Sequence, residues 1–254
     1  MGRNIVAIIQ ARMSSSRLPG KVLKKLAGIP VLEHVHSRVS HAKLIHNVVV
    51  ATSTDPSDDQ IEEFCAKKEI NCFRGDLKDV LSRYYHCAVR YKATHVMRIT
   101  ADCPLVDPVI IDSVILSGVA GNYDCFGING SFPNGLDCTL LSMSAISNAY
   151  KNASLPSQRE HVWPYIGDNP NLFKLGHLEM FDSFNDERWT LDEEEDYELL
   201  NVIFRKLYRD KKIISTLDVL ELMESNPSFR SINSHITRNE GYIKSLKEDR
   251  LLDD

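Results

Sequence analysis

The chain is 254 residues long, with 43% hydrophobic and 26% charged residues, enough to build one large α/β domain or two small ones. Its 30 Lys and Arg stand against 35 Asp and Glu, and the net charge of −5 excludes the basic surplus of a general nucleic-acid binder. Cysteines at 65, 72, 87, 103, 125 and 138 form no Cys-x-x-Cys and no zinc-like pairing with histidine, no apolar run is long enough to span a bilayer, and no signal peptide precedes the first strand, so a reduced, cytoplasmic protein is expected.

In chain order, residues 5–9 are a short, branched, unbroken apolar run, the pattern of a strand buried on both faces. The run stops at Gln10, and three serines, a Pro-Gly pair and three cations follow by Lys21. Such a loop offers backbone N–H groups, hydroxyls, arginines and a lysine to phosphate oxygens. It also leaves the carboxyl end of a strand, where open α/β sheets bind ligands. Neither a Gly-x-x-x-x-Gly-Lys-Ser/Thr P-loop nor a Gly-x-Gly-x-x-Gly follows the strand. Pro30 opens a helix as its first residue, with Val31, Leu32, Val35 and Val39 as the apolar stripe. Residues 47–52 read as a second buried strand, 58–68 as an acid-started helix, and 70–73 as a third strand closed by Gly75-Asp76. A long amphipathic helix at 80–93, a fourth strand at 94–100 and a helix started by Asp107-Pro108 complete this half. The alternation over 4–119 predicts a doubly wound, mainly parallel α/β sheet.

The pattern then changes. Five glycines lie between 118 and 135, followed or spanned by two hairpin strands (124–129 and 136–142), helices at 143–153 and 156–166, and a strand-like run at 172–180. This segment, about residues 120–185, is expected to be an insertion in a single domain, 1–254, covering the substrate side of the cleft and supplying a dimer contact. Residues 188–192 return to a core strand, 193–209 form a long helix with acids early and cations late, and helices at 217–224 and 240–250 finish the chain.

The loop Ile-Ile-Gln-Ala-Arg-Met-Ser-Ser-Ser-Arg-Leu-Pro-Gly-Lys at 8–21 resembles the signature of nucleotidyltransferases that activate acidic sugars with CTP. It is most similar to the cytidylyltransferase family of the spore coat polysaccharide type, related to the synthetases for CMP-linked ketodeoxyoctulosonate and sialic acid. Three further stretches carry the same resemblance: Asp-Val-Leu-Ser-Arg-Tyr at 79–84, Phe-Pro-Asn-Gly-Leu-Asp at 132–137 and Arg-Glu-His-Val at 159–162. It implies a Rossmann-like sheet of the nucleotide-diphospho-sugar transferase type. It also implies Mg²⁺, with Mn²⁺ as the alternative, and CTP with a small acidic acceptor as partners, in a homodimer that binds neither nucleic acid nor membrane.

Nucleotidyl transfer needs charge neutralisation and alignment more than covalent help from the protein. Within the resemblance, Arg12, Arg17 and Lys21 match the cations that hold the triphosphate, with Gln10, Ala11 and Ser16 beside the nucleotide. Asp102, two residues past the fourth strand, matches a magnesium ligand, and Arg98 on that strand is a further phosphate candidate. Asp192 matches a second metal ligand, although Glu193-Glu194 stand where Thr-Pro is usual, and Asp192 also suits a helix N-cap. The second and third strand ends, at Thr52, Ser53 and Gly75, are expected to read the base. Asp137, Arg159 and His161 are the acceptor candidates, Arg159 pairing with a carboxylate. Two other readings stay open: a nucleotidyltransferase for another nucleotide or a phosphorylated non-sugar acceptor, and a nucleotide-binding domain without turnover.

Overall fold

The computed structural model describes residues 2–181, 184–208 and 213–250. The apolar run forms β1 (Ile5–Gln10), whose side chains alternate between two cores. Ile5, Ala7 and Ile9 enter one and Val6 and Ile8 the other, so the strand has no solvent face and must be apolar throughout. After the loop, β2 (Lys25–Leu26) and β3 (Ile29–Pro30) form a small hairpin turned at Ala27 and Gly28, both with positive φ. Sequence periodicity does not anticipate so short a pair. The hairpin holds Pro30 just outside α1 (Val31–Ser40), as its N-cap instead of its first residue.

The expected alternation then runs through β4 (Asn47–Ser53), α2 (Asp59–Lys67), β5 (Cys72–Gly75), α3 (Val80–Arg90), β6 (His95–Thr100) and α4 (Pro108–Ala120). Asp107 caps α4 by accepting the Val109 N–H at 2.9 Å, with Pro108 behind it. β7 (Cys125–Ile128), β8 (Cys138–Ser142), α5 (Met143–Asn152), α6 (Pro156–His161), α7 (Pro164–Asp168) and β9 (Leu175–Leu178) follow.

The strands make one seven-stranded sheet in the order β5-β4-β1-β6-β8-β7-β9. β5, β4, β1 and β6 are mutually parallel, β8 is antiparallel to both β6 and β7, and β9 is parallel to β7. The β7–β8 hairpin thus widens the same sheet. α1, α2 and α4 cover one face and α3 and α5 the other. The chain leaves β1 toward β4 on one side and returns across the sheet to β6 through α3. The switch point therefore falls between β1 and β6, where doubly wound sheets open a ligand crevice. Gln10 pairs in register with Thr100, so the loops that follow the two strands emerge side by side.

Two elements differ from the sequence reading. Residues 156–166 are not one helix: Val162 adopts φ 73°, and Pro164, which cannot donate a helical hydrogen bond, starts α7 instead of continuing α6. Residues 188–192 are not a core strand. Trp189 and Leu191 are fully buried, which produces the strand-like pattern, but the segment crosses the carboxyl edge of the sheet and pairs only through an isolated bridge between Asn134 and Arg188. α8 (Glu194–Leu207), α9 (Thr216–Ser225) and α10 (Glu240–Arg250) end the fold; residue 209, the expected end of the first, lies outside the described residues. No helix among the described residues is long and apolar enough to cross a membrane, and all six cysteines are free.

Candidate active site

The carboxyl ends of β1 and β6 open into a cleft of about 850 Å³, a volume suited to a nucleotide with a small second substrate. Gln10, Ala11, Arg12, Ser16, Arg17 and Lys21 enter it from the first loop. Arg98 and Asp102 come from β6 and its loop, Asp137 and His161 from the segment beyond, and Asp192 from the extended crossing.

The first loop is pinned at both ends by backbone geometry. Ala11 N–H donates to the Ala51 carbonyl at 3.1 Å, and Gly20 N–H donates back to Met13 at 3.0 Å. Gly20 has φ 70°, the left-handed conformation that glycine tolerates best. Asp58, fully buried, accepts the Met13 N–H at 2.7 Å and the Ser53 hydroxyl at 2.5 Å. The sequence marks Asp58 only as a helix start, whereas its carboxylate ties the loop to the end of β4.

Every loop cation faces acid. Arg12 pairs with Glu160 at 3.4 Å, and Arg17 with Asp192 at 3.2 Å, Glu193 at 3.1 Å and Glu240 at 3.0 Å. Lys21 Nζ lies between two carboxylates, 2.7 Å from Asp102 Oδ2 and 2.7 Å from Asp192 Oδ1. Burial disfavours the Lys21 charge, but these two partners outweigh it and hold its pKa above the ordinary lysine value. Asp102 likewise overcomes desolvation through Lys21 and a Thr100 hydrogen bond, and its pKa falls to about 2. The donor set suits a hard divalent cation. Two carboxylate oxygens converge on one point, at least one held ionised, and magnesium takes one or two carboxylates and completes its shell with phosphate and water. No group of three or more metal-ligating side chains forms among the described residues, so further ligands would come from substrate and water.

Asp192 owes its position to residues to which the sequence reading gave no role. Asp196, fully buried, accepts two hydrogen bonds from Arg188 at 2.8 Å each and one from Asn233 at 2.9 Å. It also accepts the N–H groups of Asp192 and Glu193 at 2.9 and 3.0 Å, and Glu193, not Asp192 as expected, is the N-cap of α8. The Asp192 carboxylate is thereby left to face the cleft. The crossing is fixed at its other side by Gly135, φ 106°, where an added Cβ would stand 2.5 Å from the Thr190 nitrogen. Close backbone approach is the physical content of the Pro-Asn-Gly-Leu-Asp stretch, and Leu191 N–H reaches the Asp102 carbonyl at 2.8 Å.

Four predicted site residues do not line the cleft. Thr52 and Ser53 are fully buried, and Gly75 pairs with Ser53 in the sheet, beneath the cleft instead of along it. Arg159 turns away from the cleft to Asp79, the N-cap of α3, and donates to the Tyr150 carbonyl at 2.8 Å. It ties α6 to α3 and α5. His161 does reach the cleft, at 3.0 Å from Ser245 Oγ, and burial keeps its pKa below the ordinary histidine value. Ser245 belongs to α10, which borders the cleft and brings Glu240 to Arg17 and Tyr242 to a 5.0 Å edge contact with the His161 ring. The low hydropathy of that last helix gives no hint of this placement.

The cytidylyltransferase family matches residues 6–215, which takes in every cleft residue from Gln10 to Asp192. The spore coat polysaccharide biosynthesis protein SpsF of Bacillus subtilis is 32% identical over 231 residues, covering 88% of this chain and 95% of SpsF. A cytidylyltransferase from Leptospira borgpetersenii superposes with a TM-score of 0.83 at 31% identity, covering 90% of this chain and 97% of that one. The structure of a CMP:2-keto-3-deoxy-manno-octonic acid synthetase complexed with CTP shares the fold, with a TM-score of 0.61 at 16% identity over 80% of this chain and 99% of its own. With the Ser- and Arg-rich loop, the two converging aspartates and this extent of likeness in hand, the chain belongs to the cytidylyltransferase family.

Proposed function

We propose that the protein transfers CMP from CTP to a hydroxyl of a small sugar acid and releases pyrophosphate, in the supply of activated sugars for surface polysaccharide. The observation that carries this reading is the convergence of Lys21, Asp102 and Asp192 within 2.7 Å contacts at the end of a Ser- and Arg-rich loop. Opposed charges at one point are what a triphosphate and its counter-ion require.

Arg12, Arg17 and Lys21 would hold the triphosphate, exchanging their acidic partners for phosphate oxygens. Asp102 and Asp192 would hold Mg²⁺, for which Mn²⁺ can substitute, and the ion would neutralise charge on the phosphates. The acceptor would lie on the sheet floor formed by Gly127 and Thr139, between Asp137 and His161. Its hydroxyl oxygen forms the new bond to the α-phosphorus in line and gives up its proton to solvent, the bond from that phosphorus to the bridging oxygen breaks, and pyrophosphate leaves with the electron pair. Arg17, on the loop, is placed to stabilise the charge that develops on the leaving group.

The six free cysteines suit a reducing compartment, in keeping with a cytoplasmic enzyme. Exposed Leu172 and Met180 support the reading that the segment around 120–185 would supply a homodimer contact. A screen of sugar acids with CTP and Mg²⁺, read by mass spectrometry, tests the central claim. A CMP-linked product with one equivalent of pyrophosphate is expected; turnover only with phosphorylated non-acidic acceptors would move the assignment to another substrate class.

A further inference from the structure

Resting on the triphosphate reading above, we propose that α10 is a strap across the cleft, latched by Glu240 on Arg17, and that the nucleotide's phosphates release it by taking Arg17. The Arg17 guanidinium already meets Asp192 and Glu193, so Glu240, at 3.0 Å, is the third carboxylate on one cation. Asp192 and Glu193 are held where they are by Asp196, which accepts both of their N–H groups. Glu240 instead comes from a helix laid along the cleft. Glu240, Lys244 and Glu248, spaced four apart, all line it, so one edge of α10 runs beside the substrate space.

The seat of α10 is polar where a firmly docked helix would be apolar. Ser245 and Asp249 are buried, while Ile243 and Leu246 remain 42% and 38% exposed. Ser245 Oγ lies 3.0 Å from His161 Nε2 and 3.1 Å from Glu160 Oε2, and Asp249 Oδ1 accepts the Ser157 N–H at 3.0 Å. Asp249 Oδ2 is buried with no hydrogen-bond partner among the described residues, which weakens the seat. Half-buried Tyr242, against the His161 and Trp163 rings, is the main apolar contact. Little of the hydrophobic effect therefore holds this helix down. The chain just before it is fixed, because Arg238 Nη1 donates to the Phe132 carbonyl at 3.1 Å. Asn239 then turns with φ 59° directly into Glu240. The latch sits beside this pivot, so moving Glu240 re-aims the helix that follows.

Arg17 does not serve Glu240 and a phosphate at once. The Glu240 side chain is 54% exposed, and such an ion pair contributes little, whereas phosphate oxygens take paired, charge-assisted hydrogen bonds from a guanidinium. The phosphates also bring negative charge toward three carboxylates, and of these the one on the weakly seated helix is free to retreat. Latch and ligand compete for one group, so each weakens the other by the same factor. Release of α10 also takes Ser245 from His161 and Glu160, which opens the acceptor end of the cleft.

The test uses inorganic tripolyphosphate as the probe, on the full chain and on its Glu240→Gln and Glu248→Gln variants. Glu248 lines the same cleft from the same helix but makes no contact with Arg17, so its variant reports the general effect of removing one negative charge. By calorimetry, Glu240→Gln should bind tripolyphosphate about two- to fivefold more tightly, the range of an exposed ion pair, and Glu248→Gln should match the wild type. By hydrogen exchange, tripolyphosphate should speed exchange of the amides at 240–249 in the wild type, and Glu240→Gln should show the faster exchange without ligand. Unchanged or slowed exchange of α10 on tripolyphosphate binding overturns the strap. So does an equal gain in affinity in both variants, or a gain in neither. Absence of tripolyphosphate binding to the wild type removes the triphosphate reading itself and the strap with it, a result separate from the variants.

Discussion

Lys21 Nζ lies 2.7 Å from Asp192 Oδ1, although 171 residues separate them in the chain. The same ammonium is 2.7 Å from Asp102 Oδ2, so one lysine bridges two carboxylates that would otherwise repel. Lys21→Met should therefore reduce turnover by at least about 100-fold, the scale of deleting one electrostatic group from a transition state. It should also make Mg²⁺ alone a stronger stabiliser in thermal unfolding, since Asp102 loses its ammonium partner and Asp192 keeps only its arginines. Asp102→Asn should show the same loss of turnover with the opposite Mg²⁺ response. Near-normal pyrophosphate release in both variants would remove the charge arrangement from the mechanism.

The same contacts set a pH window. Asp102 ionises at about 2 in the fold against an ordinary 3.8, so its contribution is present above about pH 4 and is lost as pH falls through 2. Lys21 is raised above 10.5, so its contribution is present below that pH and is lost as pH rises through the raised value. Urea unfolding should show the acid limb flattened in Asp102→Asn, by on the order of 2 kcal/mol between pH 4 and 2. An unaltered acid limb would show that other carboxylates govern acid unfolding.

Asp196 and Arg188 are a buried pair, with side-chain exposures of 0% and 7%. Removing the carboxylate takes two of the Arg188 hydrogen bonds, leaving that guanidinium only its 3.4 Å contact with Asp192, and strips the acceptor from the Asn233 amide and two backbone N–H groups. Asp196→Ala should cost about 3–5 kcal/mol by chemical denaturation. Asp196→Asn keeps the shape and part of the capping, so it should fold better yet lower kcat more than it alters KM for CTP, through misplacement of Asp192. A stable, fully active Asp196→Asn would detach this clamp from catalysis.

Arg159 was expected to meet the acceptor and instead joins α6 to the Asp79 cap of α3. Arg159→Ala should lower stability by on the order of 1 kcal/mol, because the pair is partly exposed, and leave KM for the acceptor unchanged. A rise in that KM at undiminished stability would return Arg159 to the substrate site.

The local pattern of residues determined much of this protein by itself. An unbroken apolar run at β1, followed by a loop dense in serine and cations, implies a buried parallel strand with an anion site at its carboxyl end. The period of the apolar residues through α4 implies the doubly wound half. Asp102 was legible because it directly follows such a strand. The tertiary structure decided what depends on distant segments meeting. Residues 188–192 look like a strand because Trp189 and Leu191 are buried, yet they cross the sheet edge, and burial alone does not distinguish the two. Asp196 and Asp58 are ordinary helix-start residues in sequence, because their meaning lies in partners such as Asn233 and Met13 far along the chain. A charge's role is set by what packs around it, and that packing exists only once the sheet order has brought the carboxyl ends of β1 and β6 together.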